Sequence, residues 1–190
     1  MNDTLTAEQA LDMLIKAINK VPKKYYQIRQ YNDEIRFRER LFCYELYHQF
    51  RIVLDNKQIK KYILHGELAK SGNPLFKGEI PDFLLHIPND KCKNLLIIEV
   101  KLNYDEDGIK NDFKKLFDFI KDHNYKRGVF LYVIEESDKY EKTIREILIS
   151  KEKSVLEKIH IIHKSPSQEI ISHKTASELL EEYCNARPDS

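Results

Sequence analysis

The sequence predicts an α/β fold in which helices flank a mixed central β-sheet. Two apolar runs, at 82–87 and 94–102, are separated only by a short polar turn, which is typical of neighbouring antiparallel strands. Residues 108–123 follow, with apolar side chains at helical spacing. A further buried-strand pattern lies at 127–135. Since a helix between two strands favours a crossover to a parallel strand, the sheet should combine both orientations.

The elements before these runs begin with a helix. Thr6 and Gln9 fit a capping box ahead of an amphipathic helical pattern. Residues from about 33 to 54 are predicted to form a second helix. A strand is expected at 62–68, and glycines and prolines mark a loop at 72–78. This strand would be the first of three consecutive antiparallel strands.

The C-terminal part continues the α/β pattern. The sequence predicts a helix at 140–158, a short strand at 159–163 and a closing helix at 175–185. No internal repeat or boundary interrupts the chain. Its length of 190 residues suits one domain, spanning 1–190, with a substantial core.

The composition is that of a folded globular chain. Hydrophobic residues make up 42% and charged residues 33%, and the net charge of +1 creates no global field that would favour an anionic partner. No apolar run approaches the roughly 20 residues that span a bilayer, and the first residues lack a signal peptide's apolar region. We therefore expect no membrane association and a cytoplasmic location. Cys43, Cys92 and Cys184 fit neither a disulfide framework nor a zinc site.

The strand runs carry three charged residues, Asp82, Glu99 and Lys101, where a sheet core is normally apolar. Side chains alternate along a strand, so Glu99 and Lys101 emerge on one face and Val100 on the other. If Asp82 lies across from them, two carboxylates share a small volume and repel each other unless a cation lies between them. Mg²⁺ prefers hard oxygen ligands and retains several waters. Asp82, Glu99 and the backbone carbonyl of Val100 are therefore candidate ligands of Mg²⁺ or Mn²⁺.

These residues also carry a resemblance to a known family. Pro-Asp at 81–82, followed on the next strand by Glu-Val-Lys at 99–101, resembles the signature of the PD-(D/E)XK nuclease superfamily, which has the restriction-endonuclease-like fold. The predicted elements from about 33 to 135 resemble the common core of that superfamily. The N-terminal helix and the C-terminal helices would then be additions to this core.

The resemblance implies a metal-dependent nuclease. In this superfamily the equivalents of Asp82 and Glu99 bind Mg²⁺, and the equivalent of Lys101 positions or activates the attacking water. DNA is the expected substrate, although other members act on RNA, and a homodimer would suit the cutting of two strands. The competing interpretation is a catalytically inactive nucleic-acid-binding or assembly module with the same fold.

The tripeptide itself is not specific, because acid-x-Lys also occurs at 55–57 and 112–114. Only the tripeptide at 99–101 ends an apolar strand run and follows a Pro-Asp strand. The alternative is a plain ion pair within 99–101, together with an Asp82 that only caps the turn after Pro81.

Relatives in this superfamily often contribute a further acidic residue from the preceding helix. Glu39 shares a helical face with the apolar Phe42, whereas Glu45 lies on another face, so Glu39 is the favoured candidate. Either could instead be a surface acid. Glu67 lies two positions after His65, on the same face of the predicted strand. It would either approach the metal or only lie at the edge of the sheet.

Basic residues suggest where nucleic acid would bind. Between residues 20 and 40, seven Lys and Arg residues outnumber three acids, and tyrosines are interspersed, which suits phosphate contact with aromatic support. A solvated linker between two helices is the alternative for this segment. The helix at 108–123 adds further lysines. The candidates for nucleic-acid contact are Lys23, Lys24, Arg29, Lys114 and Lys115.

Overall fold

A computed structural model of the chain describes residues 5–66, 80–135, 137–167 and 170–185. The strands are β1 (Gln27–Arg29), β2 (Ile35–Phe37), β3 (Ile63–Gly66), β4 (Phe83–His86), β5 (Asn94–Lys101), β6 (Arg127–Val133), β7 (Ile159–Lys164) and β8 (Ile170–Thr175). The helices are α1 (Ala7–Asn19), α2 (Glu39–Asn56), α3 (Glu106–Asp122), α4 (Asp138–Leu148), α5 (Lys153–Leu156) and α6 (Ala176–Asn185).

The central sheet is mixed, as the sequence predicts. Strands β3 to β8 form one six-stranded sheet in chain order, and β1 and β2 form a separate hairpin. Strands β3, β4 and β5 pair antiparallel, β5, β6 and β7 pair parallel, and β8 returns antiparallel. The predicted α/β class, with helices flanking the sheet, is confirmed. None of the described helices combines the length and apolarity needed to cross a lipid bilayer.

Apolar side chains cover both faces of β5 and so give the sheet two cores. Leu96, Ile98 and Val100 cluster with the apolar residues of α1 and α2. Ile97 belongs to the second cluster, which contains the apolar stripe of α3. The predicted alternation along β5 is thus confirmed from Leu96 onwards, whereas Leu95 belongs to the first cluster. It places Glu99, only 1% exposed, on the side covered by α3.

The second helix differs from the prediction, because it begins at Glu39 and the residues before it form the β1–β2 hairpin. In the turn of this hairpin the backbone N–H of Glu34 donates to the side chain of Asn32 at 3.2 Å. Asp33 has a φ of 62°, a conformation that Asp and Asn tolerate better than most residues. This turn chemistry outweighs the helical propensity of residues 33–38, so the prediction was wrong there.

The other differences are a break within a predicted helix and an additional strand. The helix predicted at 140–158 is broken into α4 and α5, since Glu152 has an extended backbone with ψ of 133°. Strand β8 was not predicted, although its burial alternates as in a strand with one face covered. The predicted strand at 62–68 is observed as far as Gly66. Its last two residues and the loop at 72–78 lie outside the described residues.

Candidate active site

The carboxylates of Asp82 and Glu99 are neighbours at the end of the sheet where β4 begins and β5 finishes. Strand β4 pairs with β5 so that Phe83 faces Ile98, which brings Asp82 next to Glu99. The backbone N–H of Val100 donates to Oδ2 of Asp82 at 2.7 Å. This hydrogen bond fixes Asp82 against the end of β5, so its carboxylate does more than cap the turn after Pro81.

Lys101 points to the same face as Glu99 but is paired with a different residue. Its Nζ lies 3.0 Å from Oδ2 of Asp112, on α3, and its side chain remains 17% exposed. The simple Glu99–Lys101 ion pair considered from the sequence is therefore not the arrangement observed. The ammonium group of Lys101 is held at the boundary between the buried cluster and solvent.

Lys115, a candidate for nucleic-acid contact from the sequence, lies in the buried cluster as its second lysine. Its side chain is only 9% exposed, because it projects from α3 towards the end of β5. Nζ lies 2.5 Å from Oε2 of Glu99 and 3.0 Å from Oδ1 of Asp112. Lys115 thus neutralises two buried carboxylates, and its charge does not face a surface where a phosphate could reach it.

Asp112 is a site residue that the sequence analysis missed, and Lys115 is one to which it gave a different role. The signal was present in the spacing, since Asp112 follows Ile109 by three positions and precedes Leu116 by four, which places it on the apolar stripe of α3. A charged residue on such a stripe indicates a buried pair or a functional group. Lys115 lies one turn further along the same side of the helix.

Of the three supporting acids, Glu39 contacts the site. It lies in the first turn of α2, and its Oε2 accepts a hydrogen bond from the backbone N–H of Leu102 at 3.1 Å. Glu45 instead accepts a hydrogen bond from the side chain of Gln49, one turn along α2, at 2.7 Å. Glu67 lies outside the described residues.

Burial and crowding make the carboxyl groups difficult to ionise. Burial raises the pKa of Asp82 to about 6; Asp112 and Glu39 add to the rise, which Val100 and Lys115 oppose. Burial, followed by the charge of Asp82, holds the pKa of Glu99 well above its ordinary value. The cluster therefore resists full ionisation in the absence of additional positive charge.

The pKa values of Lys101 and Lys115 shift in the opposite direction to the one that burial alone would produce. Burial lowers the pKa of Lys101, but Asp112 and the other acids more than compensate, so its pKa lies above the ordinary value. The same balance, with Glu99 as the main attractive charge, raises the pKa of Lys115. Both ammonium groups are therefore charged at neutral pH.

The residues present fit a hard divalent cation held by two carboxylates. Four carboxyl groups, those of Glu39, Asp82, Glu99 and Asp112, are accompanied by two ammonium groups, which leaves a formal charge of −2 when all are ionised. Oε1 of Glu99 is buried and has no hydrogen-bond partner among the described residues. Within those residues no cluster of three or more acidic, histidine or cysteine side chains is arranged around a metal position. Two carboxylates with retained waters suit Mg²⁺ better than a closed cage does.

A cleft of about 470 Å³ opens at Asp82, between α2 and the edge of β3 and β4. The residues that line it are Cys43, Tyr44, Tyr47, His65, Gly66, Asp82 and Phe83. A second cleft, of about 500 Å³, lies between α3 and α4, and none of the acidic site residues is among those lining it. Among the described residues that line the cleft at Asp82, Asp82 is the member of the charged cluster.

The basic segment before α2 forms structure of its own and is not a plain linker. Lys23 lies in a short 3-10 turn and Arg29 ends β1. Lys24 lies 5.2 Å from the ring centre of Tyr25, and Arg29 is loosely paired with Asp33 at 3.6 Å. These pairs lie at the surface, where such interactions contribute little to stability and exchange readily for contacts with a ligand.

Replacing Lys23, Lys24 and Arg29 together by alanine is expected to weaken binding to nucleic acid and to flatten its dependence on salt. Each lost phosphate contact removes about 0.9 from the slope of log K against log salt on duplex DNA. Binding measured by fluorescence anisotropy at several salt concentrations checks this. The matched control replaces the exposed lysines Lys57, Lys60 and Lys91. An unchanged slope in the first variant would remove this segment from the binding surface.

Comparison with known proteins leaves the family open. No family model, no curated protein and no solved structure matches this chain. The function therefore has to be argued from the chemistry of the charged cluster.

Proposed function

We propose that the protein is a metal-dependent nuclease that hydrolyses phosphodiester bonds in DNA. The observation that carries the proposal is the pair of carboxylates, Asp82 and Glu99, at one end of β4 and β5. Among the described residues, a buried oxygen of Glu99 has no hydrogen-bond partner. Lys101 lies at the mouth of the same cluster. Three antiparallel strands followed by a crossover helix and a parallel strand also resemble the core of the restriction-endonuclease-like fold.

The site fits Mg²⁺ or Mn²⁺, with Asp82 and Glu99 as the side chains that would hold the ion. When bound, such an ion polarises a phosphate and lowers the pKa of a bound water. Lys101 is the group that orients the attacking water or stabilises the negative charge that develops on the phosphate. Asp112 keeps the ammonium of Lys101 in place through their ion pair.

The remaining residues of the cluster set its geometry and its charge. Glu39 fixes the chain just beyond β5 by accepting the hydrogen bond of Leu102. Lys115 holds Oε2 of Glu99, and Oε1 of the same carboxylate has no hydrogen-bond partner in the part of the chain that the structure describes. Glu99 can thus keep its contact with Lys115 and still offer one oxygen to a cation.

A second candidate function is a nucleic-acid-binding or assembly module that does not cleave. It is favoured by the ion pairs themselves, because Lys101 and Lys115 already neutralise Glu99 and Asp112 without a metal. The two functions differ in their response to divalent cations. A nuclease should be stabilised by Mg²⁺ or Mn²⁺, whereas a structural ion-pair network should not respond.

Lys101→Ala is expected to reduce cleavage by about 10²- to 10³-fold, the usual effect of removing one preorganised charge-stabilising group. The fold and the metal affinity should be largely kept, since the side chain lies partly in solvent and is not a ligand. Cleavage rates and metal-dependent melting curves of the two proteins check this.

Lys57→Ala is the matched control, because Lys57 also ends an acid-x-Lys tripeptide but lies exposed beyond α2. The control should cleave as the parent does. If Lys101→Ala cleaves at the parent's rate in a preparation free of other nucleases, Lys101 has no part in the reaction.

A further inference from the structure

The cleft that opens at Asp82 is walled by aromatic rings, and we call it the aromatic cleft. Tyr44 and Tyr47 enter it from α2, Phe83 from β4 and His65 from β3. No step of the proposed hydrolysis uses these side chains. Flat rings beside a phosphate-binding site suggest that the cleft receives another part of the substrate.

One wall of the aromatic cleft is rigid. The hydroxyl of Tyr47 donates to the backbone carbonyl of Leu64 at 3.2 Å. Its ring stacks on that of Phe83, with ring centres 6.4 Å apart and an interplanar angle of 26°. Both contacts fix the orientation of Tyr47 before any ligand binds, so a flat group can bind here without first ordering this ring.

The other side of the aromatic cleft presents an exposed ring. Tyr44 is 59% exposed and belongs to neither core cluster of the described residues, so its ring is accessible to a ligand. It precedes Tyr47 by three positions, so the two tyrosines lie on the same side of α2, about one turn apart. An exposed ring next to a fixed ring forms a stacking platform for a planar ligand.

We propose that the aromatic cleft binds an unpaired nucleobase of the substrate, attached to the phosphate that Asp82 and Glu99 would hold. This inference rests on the proposed nuclease function. Its volume of about 470 Å³ is within the range of about 300–1,000 Å³ typical of sites for small organic groups. Phosphate and base of one nucleotide are joined by a single sugar, so a phosphate at Asp82 brings its own base within reach of the rings.

The occupant defines the class of substrate. In a duplex, both faces of a base are stacked and its edge is paired, so the base cannot enter a cleft in the protein unless it leaves the helix. The protein therefore acts on single-stranded DNA, or at a flap, gap or mismatch where a nucleotide is already unpaired. Aromatic stacking tolerates any base sequence, so this preference concerns structure and not sequence.

The test measures base binding apart from cleavage. A short single-stranded oligonucleotide that carries 2-aminopurine, and phosphorothioate linkages that resist hydrolysis, is titrated in Mg²⁺ with the parent, with Tyr44→Ala and with Tyr44→Phe. We expect quenching of the 2-aminopurine fluorescence by the parent and by Tyr44→Phe. Tyr44→Ala should bind about 10-fold more weakly, the usual effect of losing one stacked base. The same oligonucleotide annealed into a duplex should show little quenching with any of the three proteins.

The outcomes separate this inference from the nuclease assignment. Equal binding by the parent and Tyr44→Ala, or stronger quenching of the duplex, overturns the inference even if DNA is cut in Mg²⁺. Tyr44-dependent quenching supports the base-binding cleft, even if the parent cuts nothing and the nuclease assignment falls. Because Tyr44 is largely exposed, the alanine variant should fold, and its melting curve verifies this.

Discussion

Asp82→Asn is expected to abolish cleavage without destabilising the metal-free protein. The variant loses a negatively charged ligand, so the metal-induced rise in melting temperature should largely vanish; in the parent it corresponds to about 2.7 kcal/mol at a hundredfold excess of metal over Kd. The asparagine oxygen can still accept the hydrogen bond that Val100 donates. Removal of one charge also relieves the repulsion between Asp82 and Glu99. Melting curves with metal and with chelator, together with a cleavage assay, measure these effects.

The pH dependence of stability gives the same variant a second readout. The pKa of Asp82 rises from its ordinary 3.8 to about 6 in the folded protein. The folded state therefore keeps this proton longer than the unfolded chain does, so stability falls as the pH rises from the lower value through the higher one. For Asp82 alone the loss amounts to roughly 3 kcal/mol, and it should be absent in Asp82→Asn.

Asp90→Asn is the matched control for this prediction. Asp90 also accepts a backbone hydrogen bond, from Cys92 at 2.9 Å, but it lies in the turn between β4 and β5, away from the charged cluster. It should leave cleavage and the response to metal unchanged. If Asp82→Asn unfolds at a much lower temperature than the parent and neither protein responds to metal, Asp82 is part of a structural ion-pair network instead.

Lys115→Met is expected to destabilise the metal-free protein by about 3–5 kcal/mol at neutral pH, the usual cost of breaking a buried ion pair by removing one partner. Methionine fills a similar volume, so the loss arises from the uncompensated charge of Glu99 and not from a cavity, whereas Asp112 keeps its ion pair with Lys101. Denaturant unfolding of parent and variant measures it. The deficit should shrink as the pH falls, because burial already raises the pKa of Glu99 and a protonated Glu99 does not need the ammonium group.

Lys114→Met provides the control for Lys115→Met. Lys114 is the adjacent residue of α3, but its side chain is 58% exposed and its partner Asp118 is also at the surface. The change in stability should stay within about 0.5 kcal/mol. If Lys115→Met is as stable as this control at neutral pH, the ion pairs of Lys115 do not hold the charged cluster together.

Strand alternation predicted the positions of Asp82, Glu99 and Lys101. It did not predict the ion pairs of Lys101 with Asp112 and of Lys115 with Glu99. The period of two along β5 was sufficient to place Glu99 and Lys101 on one face, and the Pro-Asp strand placed Asp82 beside them. The sequence does not state which face the crossover helix α3 covers. Without that information, Asp112 could not be assigned as the partner of Lys101, and Lys115 was assigned to nucleic-acid contact.

The hairpin shows a different limit of the sequence. Residues 33–38 continue the charged, helix-compatible pattern of α2, so periodicity alone extended the helix through them. Two local features oppose this, the side-chain hydrogen bond of Asn32 and the left-handed backbone of Asp33. The buried ring of Tyr26, just before β1, packs edge-on against Phe42 of α2 and contacts the ring of Phe37 in β2. Such tertiary contacts are not visible in a periodicity analysis.

The central claim, that Asp82 and Glu99 support metal-dependent hydrolysis, is tested most directly by a cleavage assay. Labelled single-stranded, branched and duplex DNA would be incubated with the purified protein and with Glu99→Gln, in Mg²⁺, in Mn²⁺ and in chelator. We expect cleavage products only with the parent and only with a divalent metal, most abundantly on substrates with unpaired nucleotides. No products from the folded parent on any of these substrates, or equal products from Glu99→Gln, would contradict it.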